Sequence, residues 1–143
     1  MFQQLLNKYK YFLNPAAKSI KGQYIIKGQI ITARKPDFRI DLGMEEIYVE
    51  IEPPFYKPFE NQRISSRLQG ALNQISDWKQ INSNMNSKSI RYIIVIGLNP
   101  RLKKEEQDNL EHFNKAQSNL GVLTWDWILE NIKHLKEELK KRL

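Results

Sequence analysis

The chain contains no cysteine, which excludes disulfide staples, thiolate zinc centres and a cysteine nucleophile. No apolar run approaches the roughly 18–20 residues that span a bilayer. The opening MFQQLLNKYKYFL lacks the charged start, apolar stretch and small-residue cleavage site of a signal peptide. These absences point to a cytoplasmic protein with no membrane span. Histidine is scarce: His112 and His134 stand apart in charged stretches with no partner at metal spacing, and both read as surface residues. There is no glycine-rich phosphate loop, nucleophilic serine motif, internal repeat or low-complexity tract.

What is present describes a globular chain. The 143 residues are enough for one core and too few for two, so residues 1–143 are expected to form a single domain. Hydrophobic residues make up 41% and aromatic residues 10%, a folded composition. The net charge is +7, which favours polyanionic partners through phosphate contacts and counterion release. Part of that excess lies in the tail Lys133 to Arg142, so charge alone leaves nucleic-acid binding open.

Hydrophobic periodicity outlines the elements. Phe2, Leu5, Leu6, Tyr9, Phe12 and Leu13 have helical spacing, and Asn14-Pro15 ends that helix. Gln23 to Thr32 is rich in β-branched residues and reads as a strand. In KPDFRIDLGMEEIYVEIEPP, a turn on Gly43-Met44 pairs Ile40 with Ile47, Phe38 with Val49 and Asp37 with Glu50. Glycine in the first turn position suits a type II′ hairpin. The apolar residues then share one face, while Asp37, Glu50 and Glu52 share the other. Pro53-Pro54 stops the strand before an aromatic loop. A helix over about Gln62 to Ile81 is predicted to bury Ile64, Leu68, Ala71, Leu72, Ile75 and Trp78. NSNMNSKS is a loop, YIIVIG a buried strand, Lys103 to Ser118 a helix, Gly121 to Thr124 a short strand and Asp126 to about Lys141 the last helix. The order defines an α/β fold with a mixed central sheet flanked by helices.

Three carboxylates on one hairpin face repel one another, by about 4 kcal/mol per pair at 4 Å and an effective dielectric of 20. A divalent cation relieves that repulsion, and oxygen ligands suit Mg²⁺ or Mn²⁺. A solvated hairpin face carries Asp and Glu just as readily, and the spacing leaves both readings open.

Pro36-Asp37 followed by Glu50-Ile51-Glu52 resembles the PD-(D/E)xK phosphodiesterase superfamily, whose core hairpin carries an Asp and a Glu-x-Lys. More narrowly, VEIEPPFYKPFENQRISSRLQGALNQISDW is similar to the Shedu immune nuclease family, with Ala71, Gln74 and Trp78 at matching helix positions. YIIVIGLNPRLKKEEQDNLEHFNKAQSNLGVLTWDWILENI resembles that family's closing strand, helix, strand and helix, and FQQLLNKYKYFLNP the helix that precedes its core. The resemblance covers nearly the whole chain. It implies a restriction-endonuclease-like core and a metal-dependent DNA endonuclease of anti-phage defence. Asp37 and Glu50 would be metal ligands, Glu52 a third carboxylate that takes the base role or holds a second metal, and Gln74 a side chain that helps hold water or metal.

The chain departs from the pattern in three places. Glu52 stands where the superfamily has lysine, Gln3 and Gln4 stand where an acidic residue is expected in the first helix, and Gly70 replaces a histidine common among relatives. These departures keep a second reading open: a catalytically inactive relative acting as a nucleic-acid-binding or protein-interaction module. Lys35, Arg39, Lys57, Arg63 and Arg67 flank the acidic stretch and are the candidate DNA-backbone contacts, although each is also an ordinary residue in a lysine-rich chain. Phe55, Tyr56 and Phe59 could stack on bases or pack their loop onto the core. A homodimer is the default oligomeric expectation.

Overall fold

The computed structural model describes residues 19–22, 36–83 and 89–142. The helix expected over residues 2–13, the strand expected over Gln23 to Thr32, and Lys35 lie outside the described residues. The elements are β1 (Ser19–Gly22), β2 (Phe38–Asp41), β3 (Glu45–Ile51), β4 (Phe59–Glu60), β5 (Arg63–Ile64), α1 (Ser66–Ser83), β6 (Ser89–Val95), a 3₁₀ turn (Asn99–Arg101), α2 (Lys104–Lys115), β7 (Leu120–Leu123) and α3 (Trp125–Arg142).

Among the described residues, five strands form one mixed sheet in the order β1-β2-β3-β6-β7, and β4 and β5 form a separate small hairpin. Strands β1, β2 and β3 are antiparallel neighbours, whereas β3, β6 and β7 run parallel. The two parallel steps are crossed by α1 and α2, both packed on the same sheet face, as two crossovers of one hand require.

The β2–β3 hairpin has the register expected from its alternation, with Phe38 opposite Val49 and Ile40 opposite Ile47. Leu42 N donates to Glu45 O at 2.9 Å across the turn. Gly43 at the tip has φ of 94°, the conformation a II′ turn demands of its first residue, and its N–H donates to Asp41 Oδ1 at 2.8 Å. Phe38, Ile40, Ile47 and Val49 bury themselves with Val95 beneath Trp125 and Ile128 of α3. The opposite face of the same strands is also covered. Tyr48, Tyr92, Ile94 and Ile96 pack against Leu68, Ala71, Ile75 and Trp78 of α1 and against Leu110 of α2. A strand covered on both faces needs apolar residues on both, which explains the unbroken run YIIVI.

The start of the second predicted helix needs correction. Helix α1 begins at Ser66 rather than near Gln62, because residues 59–64 fold into the β4–β5 hairpin with Asn61 and Gln62 at φ of 49° and 63°. Ile64, expected in the helix core, is an exposed residue of β5. Ser65 then caps the helix, its Oγ accepting from Leu68 N at 3.2 Å. The remaining helices and strands fall within a few residues of their expected limits. Strand β1 lies just before the stretch expected to be extended.

Gly97, beyond β6, has φ of 80°; a Cβ there would come within 3.2 Å of Pro58 Cδ and Tyr56 O. Glycine therefore lets the aromatic loop lie close against the end of β6. At the far side of the sheet, the Asn114 side chain of α2 reaches strand β7. Its Oδ1 accepts from Val122 N at 2.8 Å and its Nδ2 donates to Val122 O at 2.7 Å. No described helix is long and apolar enough to cross a membrane.

Candidate functional site

Asp37, Glu50 and Glu52 all come to one end of the hairpin, on the sheet face covered by α1. All three are buried: Glu50 is 0%, Asp37 6% and Glu52 7% exposed. The alternative of a solvated acidic face is thereby excluded. Ionised carboxylates are costly to bury unless partners or a cation compensate them.

Asp37 lies just before β2, level with Glu50 when the observed register is continued by one residue. Its Oδ2 accepts from Ile51 N at 2.7 Å, so the side chain extends the ladder where the β2 backbone has ended. Glu52 follows β3 at the carboxyl end of the parallel strands, where open α/β sheets commonly carry ligand sites. Its backbone is fixed from two sides: Glu52 N donates to Val95 O at 2.8 Å, and the Trp125 indole donates to Glu52 O at 2.7 Å. Trp125 N in turn donates to Gly97 O at 2.9 Å. Strand ends β3 and β6 and the start of α3 are thus bound into one frame.

Helix α1 supplies the opposite wall. Trp78 meets Tyr48 edge-on at 6.2 Å between ring centres, and eleven residues earlier Arg67 meets Glu52, Nη1 to Oε2, at 3.2 Å. Glu50 lies between Tyr48 and Glu52 on that strand face, and Gln74 lies between Trp78 and Arg67 along the helix. Gln74 Oε1 is buried and accepts no hydrogen bond from the described residues. An amide oxygen in that state costs about 1–3 kcal/mol, and such atoms in native folds mark sites for water or ions.

The basic residues divide sharply. Arg67 reaches the acidic end and is also held by Tyr56, with Nη2 2.6 Å from the phenol oxygen and the guanidinium carbon 3.9 Å from the ring centre. Arg39 is instead committed to Glu46, with Nε 3.0 Å from Oε2. Lys57 is turned to Glu106 of α2 at 3.2 Å. It lines a separate cleft of about 470 Å³, with Asn61, Lys103 and Glu105, that includes none of the three carboxylates. Arg63 is exposed on β5. Of the aromatic loop, Phe59 is core and edge-on to Phe113 at 6.4 Å, Tyr56 serves Arg67, and Phe55 is exposed beside it. Glu46 lies diagonally across the hairpin from Arg39, whereas the partner of Lys57 and the Trp125 bond to Glu52 had no signal in local sequence.

Among the described residues, no three acidic or histidine side chains gather closely enough to form a metal site by themselves. The Asp37 and Glu50 carboxylates are buried at the strand end and the Gln74 amide oxygen is buried on α1, while Glu52 is paired with Arg67.

The fold and site together define a mixed-sheet α/β domain with a buried acidic strand end facing a helix. The family profile described as Shedu protein SduA, C-terminal, matches residues 1–129, and the chain belongs to that family. Membership suggests a role in anti-phage defence. No curated protein matches the chain.

Proposed function

We propose that the chain is a metal-dependent DNA endonuclease with a PD-(D/E)xK core, serving anti-phage defence in the cytoplasm. The observation that carries this reading is the burial of Asp37 and Glu50 at one strand end, on the sheet face covered by the helix that also carries the buried, unsatisfied amide oxygen of Gln74. Burial of this kind serves no solvated surface, and two carboxylates with an amide oxygen are the hard donor set that Mg²⁺ or Mn²⁺ prefers. Asp37, Glu50 and Gln74 would hold the ion. The chemistry such an ion supplies is activation of water and neutralisation of charge on a phosphate oxygen.

The chain's own residues have distinct parts in this scheme. Asp37 is oriented by the Ile51 N–H, and Glu50 by its place in a seven-residue strand paired along its length with β6. Hydrolysis forms one bond from a water oxygen to phosphorus and breaks one to a bridging oxygen. The attacking water gives up a proton to solvent, the leaving bridging oxygen takes one up from solvent, and no oxidation state changes. The net charge of +7 favours approach of the DNA polyanion.

A second reading, an inactive relative that binds nucleic acid or a protein, is favoured by the lack of a converging acidic trio among the described residues. Nicking of supercoiled plasmid with Mg²⁺ or Mn²⁺, by the unmodified chain and by Glu50→Ala, decides between them. Metal-dependent nicking that disappears in Glu50→Ala is the expected result. A folded, DNA-binding chain that cuts with neither metal would establish the second reading. Equal cutting by both proteins would displace Glu50 from the site.

A further inference from the structure

The superfamily pattern brings an ammonium group to residue 52, and here residue 52 is a carboxylate. Two carboxylates already offset the charge of one divalent ion, and a further negative group at residue 52 opposes a phosphate that gains negative charge as water adds. Glu52 does not stand alone, however. Its Oε2 receives Arg67 Nη1 at 3.2 Å, and Glu52 is itself buried on a backbone fixed by Val95 and Trp125.

We propose that Arg67 delivers from helix α1 the positive charge that residue 52 does not, and that Glu52 acts as the residue positioning it. The inference rests on the nuclease reading above. Arg67 is the second residue of α1, beside the Ser65 cap, so the positive end of the helix adds to its field. Tyr56 supports the guanidinium from below and at one edge. Two of its five N–H groups are used on Glu52 and Tyr56, and the planar fork has three more for a phosphate oxygen. The Arg67 side chain is 48% exposed while that of Glu52 is 10% exposed. The charge therefore faces outward towards a substrate while its anchor lies inside. The Arg67 guanidinium stabilises the phosphate oxygens during water attack.

The test is single-turnover nicking of plasmid with Mg²⁺ by the full chain, with DNA affinity measured in parallel by filter binding without added metal. Four proteins are compared: unmodified, Arg67→Lys, Arg67→Ala, and the combination of Glu52→Lys with Arg67→Ala. Arg67→Ala is expected to lower the rate by about 10²–10³-fold with much less effect on affinity, and Arg67→Lys to retain part of the rate. Adding Glu52→Lys to Arg67→Ala is expected to restore at least about tenfold, because it returns a cation to the same place; a merely structural Arg67 would show no such rescue. If Arg67→Ala does not fold, Arg67→Lys and the double variant decide the matter in the same way. Undiminished nicking by Arg67→Ala, or a folded double variant without recovery, overturns the role of Arg67 and leaves the nuclease reading standing. Failure of the unmodified chain to nick overturns both.

Discussion

Trp125→Phe separates the frame that holds Glu52 from the chemistry of Glu52 itself. The indole N–H donates to Glu52 O at 2.7 Å within the interior, and phenylalanine keeps the ring but not the donor. Leaving the buried carbonyl without this donor costs about 1–3 kcal/mol. The smaller ring leaves a gap beside Ile128 and Val49, which adds about 1 kcal/mol. We expect destabilisation of about 3 kcal/mol, or about 9 °C in Tm for a chain of this size. The assay is urea unfolding with an unchanged m value, joined to plasmid nicking at a temperature where the variant is fully folded. Because Glu52 carries Arg67, release of its backbone should slow nicking at least about tenfold, as small misplacements do at reacting centres. A stability loss below about 1 kcal/mol would refute the energetic argument. The full loss with an unchanged nicking rate would refute the claim that Trp125 positions the site.

Gln74→Leu should leave stability unchanged or raise it by about 1 kcal/mol, since it removes a buried amide oxygen without a donor, while lowering metal-dependent nicking. A clear fall in Tm would show that the amide supports the fold. Gly97→Ala should cost about 2–3 kcal/mol, from the positive φ and the 3.2 Å approach to Pro58 and Tyr56, and chemical denaturation measures it. Burial raises the pKa of Tyr92, partly opposed by the bond from Asn82. The folded state therefore holds that proton more tightly than the unfolded state. The stabilisation is complete below the ordinary value near 10 and is lost as pH rises through the raised one. Alkaline unfolding should accordingly move to higher pH in Tyr92→Phe, and an unchanged midpoint would exclude Tyr92 as a contributor.

The hairpin was legible from sequence because two constraints agree in it: strict alternation fixes which residues share a face, and Gly43 fixes the turn. That agreement also located Asp37 beside Glu50. Alternation says which residues share a face but not what covers that face, so the burial of the acids under α1 was not readable. The β4–β5 hairpin escaped notice because its strands have two residues each, too few for a period. Its turn also places Gln62, a residue with no special tolerance of positive φ, in the left-handed region. The placing of Lys57 and Arg67 depends on partners distant in the chain, Glu106 and Glu52. Local sequence describes each of these cations identically.

The Asn114 side chain that bonds both backbone groups of Val122 bears on how copies of this chain can meet. Among the described residues strand β7 is the last in the sheet, and an outermost strand invites another chain to add itself in register. Here the carboxamide already occupies that position at Val122, as a single-residue imitation of a neighbouring strand. A homodimer of this protein would therefore not form by continuing one sheet through β7 into the other copy. Its twofold axis is to be sought among other surfaces.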